Sequence, residues 1–194
     1  MWKHTQIAIR LVVITTLLLG VAYPLLITGL AQLLFPTQAN GSLVKHDGRV
    51  VGSELIGQQF TRFEYFHPRP SAAGDGYDAT ASGGSNLGPT SKALAKRVSE
   101  EAARLAEENP GLRPGHIPAD MATTSASGLD PDITLANADA QVARIAQARG
   151  MSEDEVRRII GSNLTDRQFG LLGEPRVNVL RLNLVLDAKG TARP

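Results

Sequence analysis

The chain has 194 residues, of which 42% are hydrophobic, and it carries 20 basic and 19 acidic side chains but no cysteine. This nearly neutral balance gives no reason to expect nucleic acid or an anionic surface as a partner, and the lack of cysteine excludes stabilisation by disulfides. The length suits one membrane segment followed by a single domain of roughly 160 residues.

The most apolar stretch of the sequence runs from Leu11 to Phe35, and no charged side chain lies between Arg10 and Lys45. A helix rises about 1.5 Å per residue, so this run can cross a hydrocarbon core of roughly 30 Å. A cleaved signal peptide is the alternative, but its apolar part is usually about 7–15 residues long and ends at a small-residue cleavage site. The residues after Phe35 offer no such site. We therefore predict a retained transmembrane helix over residues 11–35.

The charges that flank this run predict its orientation. Lys3 and Arg10 precede it, whereas the first basic residue after it is Lys45. Basic residues favour the cytoplasmic side of a membrane. We therefore predict a cytoplasmic N-terminus over residues 1–10 and an extracytoplasmic domain over residues 36–194.

A row of polar and small residues recurs every fourth position along the predicted membrane helix. Such a ridge lets the backbone of a partner helix approach closely, and an amide that faces lipid is costly. The alternative is that these residue types are simply common in membrane helices. We favour a helix-packing face formed by Thr16, Gly20, Pro24, Thr28 and Gln32.

Beyond the apolar run, the first recognisable element is a hairpin over residues 43–51. Its turn is Asp47-Gly48, a pair that readily takes positive φ angles between two strands. A long segment rich in Gly, Ser, Ala and Pro follows over residues 67–89. Such a segment is either a flexible spacer or a functional loop, and the presence of Arg69, Tyr77 and Asn86 favours the second interpretation.

Three helices are predicted in the middle of the chain from their apolar periodicity and end signals. The first covers residues 91–109 and stops at Asn109-Pro110-Gly111, and the second covers residues 135–149 and ends at Gly150. A capping box over residues 152–155 begins the third.

The last predicted element is a strand over residues 175–187, because leucines alternate with other side chains there. Leu180, Leu182, Leu184 and Leu186 would point towards the core. Together these elements predict an α+β domain with a small mixed sheet and about three helices, behind one N-terminal transmembrane helix.

No known catalytic pattern emerges from the sequence. It lacks a P-loop, an Asp-Lys-Thr-Gly phosphorylation sequence, a His-Glu-x-x-His zinc motif and a Gly-x-Ser-x-Gly nucleophile elbow. The four histidines are scattered singly along the chain. We therefore predict no catalytic, cofactor or metal residues in this chain.

Six sequence segments, in this order, closely resemble the C subunit of the Kdp-type potassium-transporting P-type ATPases. Together they extend over nearly the whole chain, which makes the resemblance specific. The segments are YPLLITGLAQLLFP (23–36), YFHPRPSA (65–72), SGGSNLGP (82–89), SGLDP (127–131), ARIAQARG (143–150) and GEPRVNVLRLNL (173–184).

The resemblance implies an accessory, non-catalytic subunit of a complex in the bacterial plasma membrane that imports potassium with ATP. Its implied partners are a channel-like potassium-binding subunit, a phosphorylated P-type ATPase subunit and a small single-helix subunit. ATP, Mg²⁺ and K⁺ would be bound at the level of the complex. The family's C subunit is held to be required for assembly and to act as a catalytic chaperone that raises the ATP affinity of the pump subunit.

On this interpretation the loops acquire a role as a polar surface that contacts neighbouring subunits and braces the potassium entrance. The same loops would also offer Asp78, Asp130 and Asp132 as weak cation sites. The alternative is that these turns hold only the domain's own fold. The different class of function that we weigh is an independent membrane-anchored binding protein or enzyme. The loop residues that we predict to contact other subunits are Arg69, Tyr77, Ser85, Asn86 and Asp130.

Overall fold

A computed structural model describes residues 1–190, which form two compact units divided between Val51 and Gly52. The last four residues of the predicted domain, 191–194, lie outside the described residues. The first unit holds a long apolar helix, and the second holds most of the helices and a small sheet.

The first unit begins with a helix that continues from Trp2 to Leu34 and is long and apolar enough to span a bilayer. It consists of α1 (Trp2–Leu17), a π-helical turn (Leu18–Ala22) and α2 (Tyr23–Leu34). The helix therefore begins nine residues before the predicted span, because no Pro or Gly interrupts residues 2–10. It ends one residue early, since Phe35 has a non-helical backbone.

The π-helical turn is explained by Pro24. Proline has no N–H group, and its ring would clash with the carbonyl four residues earlier, that of Gly20. The helix widens by one residue directly before this position, and the N–H of Tyr23 donates to the carbonyl of Leu18. Single π-turns of this kind commonly relieve such a conflict.

After a short helix, α3 (Pro36–Ala39), the chain forms the predicted hairpin from β1 (Leu43–His46) and β2 (Arg49–Ser53). Asp47 and Gly48 both have positive φ angles, 49° and 77°. These angles are what a two-residue turn with the right twist requires, so the hairpin prediction is confirmed.

The second unit is an α+β domain, as predicted. Its sheet has three strands in the order β3 (Asp132–Thr134), β5 (Arg176–Asn178) and β4 (Leu164–Thr165). Both pairings are antiparallel, with Val177 opposite Ile133 on one side and Leu164 on the other. The predicted single mixed sheet is wrong, because the hairpin forms a separate two-stranded sheet. The further elements are α4 (Lys92–Glu108), a 3₁₀ turn (Pro114–His116), α5 (Ala119–Ala122), β3 (Asp132–Thr134), α6 (Leu135–Arg149), α7 (Glu153–Ser162), β4 (Leu164–Thr165), β5 (Arg176–Asn178) and α8 (Val179–Lys189).

All three helices predicted in the middle of the chain are confirmed, and serine or threonine caps mark where they begin. The hydroxyl groups of Ser91, Thr134 and Ser152 accept hydrogen bonds from backbone N–H groups three residues later, at the starts of α4, α6 and α7. Gly150 ends α6 in the left-handed conformation with φ 64°.

The predicted strand over residues 175–187 is wrong: only Arg176–Asn178 is extended, and α8 follows. The side chain of Asn178 caps this helix by accepting from the N–H of Arg181 at 3.1 Å. Leucines favour helices, and the buried residues also fit a helical period. The inward positions of α8 are Val179, Leu180, Leu182, Asn183 and Leu186.

The main hydrophobic core lies where α6, α7 and α8 meet the sheet. Its largest fully buried side chains include Phe66, Ile145 and Leu182. Phe66 differs from the other two, because it lies in an irregular segment and not in a helix or strand. That segment must therefore satisfy its backbone polar groups in another way.

Four side chains from α6 and α8 bind every carbonyl of the segment Phe63–His67. Arg144 donates to the carbonyls of Phe63 and Tyr65, and Arg149 donates to that of Glu64. Asn183 and Gln141 each form a two-way amide pair with the segment. Asn183 accepts from the N–H of Phe66 at 2.8 Å and donates to its carbonyl at 3.0 Å. Gln141 does the same for His67, at 2.8 and 3.1 Å.

Arg144 is a buried charge within this arrangement, with only 4% of its surface exposed. Burial lowers its pKa to about 10, partly offset by the negative charge of Glu108. The guanidinium therefore stays protonated at neutral pH. Its N–H groups are directed to Asn109, Gln141 and the two carbonyls of the segment.

We expect Asn183→Leu to destabilise the chain by about 2–4 kcal/mol, because it keeps the volume but leaves the buried N–H and carbonyl of Phe66 without partners. The measurement is urea unfolding of the full chain in mild detergent. Lys189→Leu, at an exposed position of the same helix, should change the free energy of unfolding by less than about 0.5 kcal/mol. Equal losses in the two variants would contradict this role of Asn183.

Candidate functional site

The candidate site is formed by two irregular segments, residues 67–89 and 124–131, which hold each other through polar contacts. Arg69 forms an ion pair with Asp130, with Nη1 2.9 Å from Oδ2. The second terminal nitrogen of Arg69 donates to the carbonyl of Thr124 at 3.3 Å. The arginine thus joins the beginning of one segment to both ends of the other.

Ser71 is the centre of the hydrogen bonds within the site. Its hydroxyl donates to the carbonyl of Gly128 at 2.6 Å and accepts from the N–H groups of Ala73 and Tyr77 at 3.1 and 2.7 Å. One side chain therefore fixes a turn in its own segment and fastens that turn to the facing segment.

The two segments also approach each other backbone to backbone. The N–H of Gly83 and the hydroxyl of Ser82 both donate to the carbonyl of Ser127, each at 2.9 Å. Gly128 has a φ angle of 66°, and a Cβ atom there would lie 2.6 Å from the carbonyl oxygen of Gly83. Only glycine fits this position, because both its conformation and its contact distance exclude a side chain.

Three of the five predicted loop residues come together in this site. Arg69 pairs with Asp130, and the hydroxyl of Tyr77 donates to the carbonyl of Arg69 at 2.8 Å. Burial, followed by the charge of Glu101, raises the pKa of Tyr77 to about 12, so this phenol remains a hydrogen-bond donor at neutral pH. These three side chains brace the loops themselves.

The other two predicted loop residues lie on the outside of this framework. Ser85 is half-buried, whereas Asn86 is exposed and has a φ angle of 51°. Asparagine tolerates this left-handed conformation better than most residues, which suits a turn that presents its amide to solvent. Contact of all five residues with another subunit stays a prediction.

The aspartates that were considered as weak cation sites are occupied by other groups. Asp130 pairs with Arg69, Asp132 pairs with Arg176 at 2.8 Å, and Asp78 accepts from the hydroxyl and N–H of Thr80. Those two hydrogen bonds hold the pKa of Asp78 below its usual value. Among residues 1–190, no group of three or more His, Cys, Asp or Glu side chains is placed to hold a metal ion.

Beside the interlocked loops lies a cleft of about 480 Å³ that the sequence did not predict. Glu101 and Glu108 line it, and both pair with Arg104 on the same helix, α4. His67 also lines it, and burial together with the nearby charge of Arg144 lowers the pKa of this imidazole. The cleft is therefore a polar space of mixed charge.

The polar residues that position the loops were not predicted from the sequence. Asn137, Gln141 and Arg144 lie on α6 at intervals of four and three, so they form a polar stripe next to the apolar one. All three are buried. A solvated helix face has the same spacing, so the sequence alone gave no signal that these side chains are buried.

The residues of the predicted helix-packing face all lie on the long helix of the first unit. Almost all side chains of this helix are exposed. Gln32 forms a two-way amide pair with Asn40: the Nδ2 of Asn40 donates at 3.0 Å, and the Nε2 of Gln32 donates at 3.4 Å. Asn40 also donates to the carbonyl of Pro36 at 2.6 Å. The amide of Gln32 therefore has a partner within its own chain.

A family model and several known proteins that are similar to this chain all carry the same family name. A family model described as "KdpC: K+-transporting ATPase, c chain" matches residues 5–188. Proteins named "Potassium-transporting ATPase KdpC subunit" match along nearly their whole length. The one from Gemmatimonas aurantiaca is 56% identical over 100% of this chain and 97% of its own, and the one from Koribacter versatilis is 55% identical over 96% and 95%. The one from Myxococcus xanthus is 58% identical over 94% and 86%.

We expect Gly128→Ala to lower the free energy of unfolding by about 3 kcal/mol or more, because a Cβ atom there collides with backbone atoms of Gly83 and Ala73. Gly150→Ala is a matched control: it has nearly the same φ angle, 64°, but open space around it. Its free energy of unfolding should fall by only about 1 kcal/mol, because of backbone strain. Similar urea midpoints for the two variants would show that the loops are not packed this closely.

Proposed function

This chain belongs to the family of K⁺-transporting ATPase c chains, and we propose that it is an accessory, non-catalytic subunit of an ATP-driven potassium-import pump. The observation that carries the proposal is the match of the family over residues 5–188, together with relatives that match over the whole chain. In this proposal the chain acts through contacts with the other subunits, and its side chains serve to present surfaces to them.

The loop site supports a non-catalytic role. Its charged and hydroxyl groups are directed at one another, as in the Arg69–Asp130 pair and the hydrogen bonds of Ser71. In the proposal, ATP, Mg²⁺ and K⁺ are bound by the partners: a channel-like potassium-binding subunit, a phosphorylated P-type ATPase subunit and a small single-helix subunit. This chain contributes to the assembly of the complex.

We place the chain in the plasma membrane as a single-pass protein. The helix Trp2–Leu34 supports this placement, and Lys3 and Arg10 near its start favour a cytoplasmic N-terminus. In this arrangement residues 11–35 lie in the bilayer and the domain over residues 36–194 is extracytoplasmic. The loops around Ser85 and Asn86 would then contact the outer face of a partner and brace the potassium entrance.

The proposed chaperone effect on ATP affinity has to cross the membrane, because ATP is cytoplasmic and the domain is placed outside. The long helix is the available route, since a partner helix can pack against the ridge that contains Thr16, Gly20 and Thr28. Gln32 stands at the outer end of this ridge and is held by Asn40. Its amide can exchange this partner for one on a neighbouring helix.

A second candidate function is an independent membrane-anchored binding protein, and the cleft beside the loops favours it. Glu108 lines this cleft, and its Oε2 atom is buried without a hydrogen-bond partner among the described residues. A small cationic ligand would satisfy that oxygen. The two candidates differ in whether the chain works alone.

Purification of the full chain from its native membrane in mild detergent tests the proposal. We expect co-elution with a polytopic channel-like protein and a phosphorylatable ATPase. A solitary monomer that binds a small ligand would contradict the proposal and support the second candidate.

The same purification, carried out on variants, tests the helix. The double variant Thr28→Leu/Gln32→Leu should reduce the co-eluted partners by roughly three- to tenfold, the effect of one or two hydrogen bonds between membrane helices. Asn40→Leu is the matched control, because it breaks the same internal amide pair but leaves the amide of Gln32 in place. Equal losses in both variants would show that Gln32 acts only within its own chain.

A further inference from the structure

The connection between β4 and β5 carries an apolar tip, residues 168–172, that stands apart from both hydrophobic clusters. Phe169, Leu171 and Leu172 are 84%, 79% and 61% exposed. Three large apolar side chains so close together in the sequence and so fully in water are unusual in a folded domain, and such groups mark interaction sites.

The tip is ordered by hydrogen bonds of its own. Gln168 and Leu172 bridge each other with N–H···O distances of 2.9 Å in both directions. The ion pair between Arg167 and Glu174, at 2.7 Å, closes the base of the connection. A tip that is already held in shape loses little conformational entropy when it binds.

The backbone of Phe169 is in a strained conformation that it shares with Tyr77 of the loop site, whose φ angle is also 56°. Its φ angle is 56°, a left-handed conformation that bulky residues rarely adopt and that Gly or Asn would adopt at lower cost. Strained positions of this kind are typically found where a side chain has a function. The phenyl ring of Phe169, at this strained position, is exposed to solvent.

The charges around the tip favour a protein partner over a lipid surface. The tip itself carries no charge, and the arginines on either side of it are neutralised, Arg167 by Glu174 and Arg176 by Asp132. Among residues 1–190, the arginines that flank the tip are therefore already paired, which weakens any attraction to anionic headgroups. An uncharged aromatic anchor is instead what fills an apolar pocket at the centre of a protein interface.

We propose that the tip inserts into an uncharged apolar groove of a neighbouring subunit of the pump, with Phe169 as the anchor. The identity of the partner rests on the proposed function, whereas the chemistry of the groove follows from the tip alone. The proposed docking residues differ from the loop residues and from those of the membrane helix, so they can be varied independently.

The native chain has no cysteine, so a single fluorophore can be attached at Leu171→Cys without a background label. We expect its emission to shift to the blue in the purified complex and to stay water-like in lipid vesicles that hold this chain alone. Ser99→Cys, on the exposed face of α4, is the control and should stay water-like in both. Failure of only the Leu171-labelled chain to assemble would also support a buried tip.

Two outcomes of the labelling experiment would overturn the proposal. A blue shift in vesicles without partner subunits would show that the tip enters lipid. Water-like emission in the complex would show that nothing covers the tip.

Phe169→Asn tests the anchor without disturbing the backbone, because asparagine tolerates the left-handed conformation. We expect an unchanged thermal midpoint of the chain and about a tenfold or greater loss of co-purified partners. Leu55→Asn, at a side chain that is 59% exposed outside the tip, should leave the yield unchanged. If the wild-type chain captures the partners and Phe169→Asn captures them equally well, only this proposal fails. If the wild-type chain captures none, the proposed function fails.

Discussion

The second unit depends on one constraint: an irregular segment has to place Phe66 in the core without a strand or helix to satisfy its backbone. Five consecutive carbonyls, from Phe63 to His67, are instead bound by side chains of α6 and α8. Leaving such groups unpaired would cost roughly 1–3 kcal/mol each. The amides of Gln141 and Asn183 act as a neighbouring strand would, and they thereby fix where the following loop begins.

That loop, which begins at His67, is the first of the two irregular segments of the candidate site. His67 is held by Gln141, and two residues later Arg69 reaches Asp130 across the site. Ser71 then fastens the turn to Gly128. A chain of contacts thus runs from the core to the surface. A surface held in this way supports the proposed role as an accessory subunit.

Local signals in the sequence were sufficient for the capped helices and for the Asp47-Gly48 hairpin. They failed for residues 175–187, where alternating leucines fit a strand and a helix equally well and the cap at Asn178 decides for the helix. Local signals also failed for the buried polar side chains. In the predicted strand Asn183 would point outward, and on its helix Arg144 resembles a solvent-exposed side chain. Their partners are 117 and about 80 residues away, a distance no local pattern spans.

Amide hydrogen exchange of the native chain tests the central constraint most directly. The N–H groups of Phe66 and His67 lie in an irregular segment, yet both donate to buried side-chain oxygens. We expect them to exchange within about tenfold of the N–H of Ile145 in the buried face of α6. Exchange as fast as that of the exposed loop residue Asn86 would contradict the account.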